Sequence, residues 1–130
     1  MWTYDQLSGV LGKDGQRVST GYSGSGEGKN NPDLENEHDV GPIPKGVWDI
    51  GPLHDTTTHG PHVLALTPEP GTNTFGRDGF LIHGDAIQNP GTASHGCIIL
   101  PRTVRDQIGN SGDHRIQVVC AAPSPPGATE

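Results

Sequence analysis

The sequence is short of the residues that build large cores and covalent staples. Its 130 residues include two cysteines, one methionine and two each of Trp, Tyr and Phe, while Leu, Ile, Val and Phe together make a fifth of the chain. Two cysteines allow at most one disulfide, which excludes the disulfide-stapled class. So few apolar residues put the composition on the border with disorder, and order has to come from well-patterned segments. Positive charge is scarce too. Eight Lys and Arg stand against 15 Asp and Glu, a net charge of −7, and no basic cluster is present to neutralise a run of phosphates, so nucleic-acid binding is not expected. No apolar run approaches the roughly 20 residues that cross a bilayer. Met1-Trp2-Thr3-Tyr4-Asp5 also lacks the basic and apolar regions of a signal peptide. Neither membrane anchoring nor Sec export is expected.

Glycine (20) and proline (12) are abundant, as in chains of short strands and loops. The length fits one domain. Residues 2–5 and 7–11 are β-rich, Gly12-Lys13-Asp14-Gly15 reads as a turn and residues 16–22 as a return strand. Residues 23–41 form a long polar loop, which at that length is either functional or disordered. Gly41-Pro42-Ile43-Pro44-Lys45-Gly46 leads into the alternating strand Val47-Trp48-Asp49-Ile50. Val63-Leu64-Ala65-Leu66 is a further strand, and residues 67–79 are a second polar loop. Phe80-Leu81-Ile82-His83 reads as a buried strand, residues 101–108 as a helix begun by Pro101 and stopped by Gly109, and residues 115–121 as the last strand. The expected fold is mainly β, a compact sandwich or barrel-like domain over residues 1–121 with one or two short helices, followed by a disordered tail over 122–130.

The chemistry concentrates in Ser94-His95-Gly96-Cys97 and, fourteen residues before the thiol, His83. Only a thiolate is a good sulfur nucleophile, so a catalytic cysteine needs a base or a cationic field beside it. His95, two residues from Cys97, shares a face with it in extended chain. His83 has to be brought in by the fold. From residue types alone either histidine serves as base, and a structural cysteine near two histidines would look similar. Gly96 leaves room for an approaching carbonyl, and the N–H groups around Gly96 and Cys97 are candidate oxyanion donors. Asp85 suits orientation of an imidazole or a substrate ammonium group, or simply a turn. His54, His59 and His62 match no standard metal-ligand spacing and read as a solvated loop. Cys120 reads as a small buried free thiol at a strand end.

Ser94-His95-Gly96-Cys97-Ile98-Ile99-Leu100, preceded by Ile82-His83-Gly84, resembles the active-site signature of YkuD-type L,D-transpeptidases, and the segment from Gly41 to Ile50 resembles the proline-glycine lead-in of the same family. Tyr22-Ser23-Gly24, Asn30-Asn31-Pro32, Val40-Gly41-Pro42-Ile43-Pro44-Lys45-Gly46 and Cys97-Ile98-Ile99-Leu100-Pro101-Arg102 are similar to a branch of small wall-attacking proteins delivered by bacterial type VI secretion. The resemblance spans roughly residues 7 to 120. It implies a YkuD-type catalytic domain with Cys97 as nucleophile, His83 as base, and His95 and Ser94 shaping the thiolate and oxyanion environment. Tyr22, Ser23 and Asn31 would line a donor pocket.

Two departures accompany it. The interval from His83 to Cys97 is shorter than in wall-building relatives but suits the secreted branch, and Ile99 stands where many carry an arginine, a role that Arg102 is positioned in sequence to assume as carboxylate holder. The implied reaction is attack on a peptidoglycan stem tetrapeptide, loss of terminal D-alanine and resolution of a thioester by water, a D-amino acid or a second stem. No cofactor or metal is implied. The implied setting is the periplasm of a target bacterium, reached as a monomer without a signal peptide through type VI secretion components, with an immunity protein in the producer. Two alternatives stand beside it: a noncatalytic wall-binding module, and a zinc-dependent peptidase with His83, His95 and Cys97 as ligands.

Overall fold

A computed structural model describes residues 1–120. The expected tail, 122–130, lies outside the described residues. Nine strands form one sheet: β1 (Trp2–Asp5), β2 (Val10–Lys13), β3 (Gln16–Thr20), β4 (Tyr22–Ser23), β5 (Gly46–Thr56), β6 (Gly60–Pro68), β7 (Leu81–His83), β8 (Ile98–Ile99) and β9 (Arg115–Val119). Their order across the sheet is β3-β2-β1-β9-β5-β6-β7-β8-β4. The two edge strands, β3 and β4, are consecutive in sequence with only Gly21 between them, so the sheet curls back on itself into a nearly closed barrel. Closure demands a glycine there, because a Cβ on Gly21 would lie 2.0 Å from the carbonyl oxygen of Ile99. The fold is mainly β with a barrel-like sheet, as the segment pattern predicts.

Alternation explains the core. Trp2 and Tyr4 of β1, Trp48 and Ile50 of β5, and Ile116 and Val118 of β9 point inward, while their neighbours in sequence face out. Trp48 meets Phe80 edge to face with ring centroids 5.0 Å apart. The indole nitrogens are satisfied, Trp48 Nε1 by Pro44 O at 3.1 Å and Trp2 Nε1 by Ser111 Oγ at 3.3 Å. Burying each large side chain contributes about 2 kcal/mol or more, which lets a core of few residues hold the sheet. The helix α1 (Arg102–Gly109) seals the barrel with Ile108 and Val104 against the cluster.

Several boundaries differ from the sequence reading. Residues 7–9 are not strand: Asp5 accepts from Leu7 N (2.9 Å) through its carboxylate and from Gly9 N (2.8 Å) through its carbonyl, forming a turn, and β2 runs on through Gly12 and Lys13. The loop 23–41 contains two short 3-10 turns, Gly26–Gly28 and Pro32–Leu34, the second capped by Asn31. Residues 54–62 are not a simple loop, because cross-strand pairing carries β5 to Thr56 and starts β6 at Gly60. Gly109 lies inside α1 rather than stopping it, and β9 ends at Val119, leaving Cys120 half-buried instead of buried. Both cysteines are free.

Candidate active site

β7 and β8 are parallel neighbours, pairing Ile82 with Ile98 and His83 with Ile99. This register sets Cys97, just before β8, level with Leu81, two residues short of His83 on the parallel neighbour, so two residues fourteen apart in sequence come within one diagonal step across adjacent strands. Both side chains line a cavity of about 180 Å³, together with His38, Asp39, His59, Arg77 and His95.

The turn before the thiol is held by buried polar groups. Ser94 Oγ accepts from Gly24 N (2.9 Å) and Gly96 N (3.1 Å) and donates to Cys97 O (2.6 Å). Ser23 Oγ donates to Gly96 O (2.8 Å) and accepts from Ile43 N (2.9 Å). Both serines are wholly buried, so they shape the loop from beneath. Gly96 has φ +140°, and a Cβ there would stand 2.6 Å from Arg77 Nη2 and 3.0 Å from Phe80 Cε1. Its N–H, an expected oxyanion donor, is already given to Ser94.

Arg77 was hidden in what reads as a polar loop. Its Nη1 donates to Glu35 O (2.5 Å) and Pro42 O (2.8 Å), its Nη2 to Gly41 O (2.9 Å) and His95 O (3.3 Å), and its guanidinium lies over Phe80 at 5.1 Å. It thus ties the 35–42 loop to the cysteine turn, a bond pattern that suits a planar fork.

Cys97 is half-buried. Its thiol points at Gly79 O, 3.8 Å away. Burial pushes its pKa up, while the Leu81 N–H and the Arg77 charge act to lower it. His83 is almost fully buried, and its Nδ1–H donates to Gly84 O at 2.8 Å, which leaves Nε2 as the basic nitrogen. Burial lowers the His83 pKa; the Gly84 bond and Asp85 oppose this, and His59 and Arg105 add to it. A raised thiol and a lowered imidazole favour the neutral thiol–imidazole pair at rest.

Other expected site residues lie around this centre. His95 is exposed at the cavity rim, with Nδ1 3.2 Å from Asp39 O. Asp85 is outside the Cys97 cavity but lines an adjoining groove of about 720 Å³, which shares His59, His83 and Ala93 with the cavity. Asp85 accepts from Tyr22 OH (2.6 Å), Ala86 N (2.8 Å) and Gly91 N (3.0 Å), and Tyr22 accepts from Ala93 N (2.9 Å). Burial and then the Asp85 bond push Tyr22 up to about 12. Tyr22 and Asp85 therefore brace the 84–93 loop. Asn31 caps its 3-10 turn and does not line the Cys97 cavity. Nor does Arg102, whose Nη2 donates to His62 Nε2 at 3.0 Å, His62 Nδ1 in turn facing Asp106. The guanidinium of the Cys97 cavity is Arg77. Among the described residues no group of three His, Cys, Asp or Glu side chains is arranged to hold a metal ion, so His83, His95 and Cys97 do not form a ligand set.

The family model of the Tlde1 domain matches residues 17–121. The chain belongs to the Tlde1 domain family. This is the type VI secretion effector branch of the L,D-transpeptidases to which the cysteine segment was compared. No curated protein matches the chain. Among solved structures, this Tlde1 domain is similar to a cysteine-to-serine mutant of the L,D-transpeptidase of Enterococcus faecium, at TM-score 0.54 and 17% identity, over 91% of this chain and 48% of the other. It spans about half the length of that protein, and the likeness is one of fold.

Sequence reasoning did not single out Arg77, and it read His59 as part of a solvated loop. Arg77 looks like any loop charge, and its burial follows from four carbonyls supplied by three separate stretches of chain. The proximity of His54, His59 and His62 was visible, but nothing local tells which of them meets His83.

Proposed function

We propose that this Tlde1 domain is a peptidoglycan-modifying effector that acts on stem tetrapeptides through a Cys97 thioester. Membership of the family and the L,D-transpeptidase-like fold support the peptidoglycan-modifying effector. The observation that carries the thioester chemistry is the shared cavity of Cys97 and His83, with His83 Nδ1 committed to Gly84 O and Nε2 left to accept a proton.

In the proposed reaction the Cys97 thiol proton passes to His83 Nε2 as sulfur bonds to the carbonyl carbon of the third stem residue. The tetrahedral adduct collapses, the C–N bond to terminal D-alanine breaks, and the imidazolium returns its proton to the leaving amine. The resulting thioester is cleaved by water, giving an L,D-carboxypeptidase, or by the amine of a D-amino acid or a second stem, giving exchange or a 3→3 crosslink. Each route removes a tetrapeptide donor from the target wall. We place the reaction in the periplasm of a target cell, with type VI secretion components as delivery partners and an immunity protein protecting the producer.

Mass spectrometry of tetrapeptide muropeptides incubated with the protein, with and without a free D-amino acid, tests this. Loss of D-alanine, or its replacement by the added amino acid, is expected from the native chain and not from Cys97→Ala. Unchanged tetrapeptide in both samples refutes the enzymatic reading. Full toxicity of Cys97→Ala in the periplasm would favour a noncatalytic wall binder.

A further inference from the structure

We propose that His59 is a positioning residue for His83, its ring packed on the imidazole so as to hold the ring plane and to separate the Cys97 cavity from the adjoining groove. This rests on the reading of His83 as the base. The two rings lie with centroids 4.6 Å apart and planes tilted by 50°. His59 comes from the tip of the β5–β6 hairpin, far from His83 in sequence, and lines both spaces.

The turn itself does not need an imidazole. Thr56 Oγ1 accepts from His59 N (2.8 Å) and donates to Gly60 O (3.3 Å), so a threonine and the backbone close it. The His59 ring is anchored by Nδ1, 3.0 Å from Thr58 Oγ1, which sets its orientation toward His83. His83 needs such a stop because the terminal torsion of an imidazole is broad, and its single bond to Gly84 O defines a tautomer better than a ring plane. The ionisable groups facing His83 are His59 from the hairpin, Arg105 from α1 and Asp85 from the following loop, with Cys97 across the cavity. Arg105 and Asp85 act in opposite senses, the guanidinium disfavouring imidazolium and the carboxylate favouring it. His59 therefore acts on His83 through contact and by excluding water.

The experiment compares the full native chain with His59→Ala and His59→Phe. Release of D-alanine from tetrapeptide gives kcat and KM, and NMR titration of the His83 ring is followed in the same variants carrying Cys97→Ala. For His59→Ala the expected result is a kcat about ten-fold lower with KM nearly unchanged. The His83 titration midpoint should move upward as water gains access and the neighbouring ring is lost. Phenylalanine restores the packing and should recover most of kcat and most of the midpoint shift. A native kcat together with an unmoved His83 midpoint in His59→Ala overturns the proposal. So does a loss of kcat matched only by a lower melting temperature, with the midpoint unmoved. If the native chain releases no D-alanine, the proposed function fails, and the NMR titration alone decides whether His59 controls His83.

Discussion

The cysteine turn, residues 94–97, and the hairpin tip, residues 57–59, both present a side chain to the same cavity, yet they are held in opposite ways. The turn rests on buried serines and a buried guanidinium whose hydrogen bonds reach three other segments. The tip is exposed, and its side-chain bonds are to residues of the hairpin itself. The first arrangement is rigid because its serines and guanidinium have been taken from water, so each of their broken bonds leaves an unsatisfied partner. The second is adjustable, because water replaces whatever is removed. In the proposed reaction the nucleophile, which must meet a carbonyl within a fraction of an ångström, sits on the rigid part, and the residue proposed to position its base sits on the soft one.

The largest effect that separates the two regions is expected from Arg77→Ala. It strips the donors from four backbone carbonyls and loosens the 35–42 loop from the cysteine turn, costing about 3 kcal/mol of stability and most of the activity. Urea unfolding followed by tryptophan fluorescence measures it. A loss under about 1 kcal/mol would remove the distinction between the two regions.

A smaller effect is expected from pH. With His83 lowered, chiefly by burial, and required in its neutral form, kcat/KM should hold below the ordinary imidazole midpoint and then fall about ten-fold per unit of further acidification. With Cys97 raised, chiefly by burial, the alkaline limb should lie above the ordinary thiol range. An acid limb at or above the ordinary imidazole midpoint would contradict the buried-base description. The smallest effect is expected from Thr58→Ala, which loses only an exposed bond to His59 Nδ1 and should change stability by less than about 0.5 kcal/mol in the same urea assay. A cost comparable to that of Arg77→Ala would show that the tip is as constrained as the turn.

Much of the site was legible because its signals are local. Glycines bound the apolar run that became β7, and Gly96 marks the strained residue beside the thiol. The strands with period-two burial, such as Arg115–Val119, were equally readable. The 23–41 segment was not, since its order depends on the Asn30 side chain accepting from Ser23 N, on the Asn31 cap and on distant partners such as Ser94 and Arg77. The carboxylate-holding role expected of Arg102 illustrates the same limit. Sequence puts it five residues from Cys97, but the turn into α1 carries it to His62.

The sequence by itself determined a β-rich chain with a cysteine and a histidine at the ends of short apolar strands, because alternation, glycine and proline act on neighbouring residues. Tertiary structure alone decided that β3 and β4 close the sheet across Gly21, that Arg77 is buried beside Cys97, and that His59 rather than His54 or His62 rests on His83. Those outcomes depend on which carbonyls and rings the closed barrel brings together, and a loop arginine or a hairpin histidine carries no local mark of the partners it will meet.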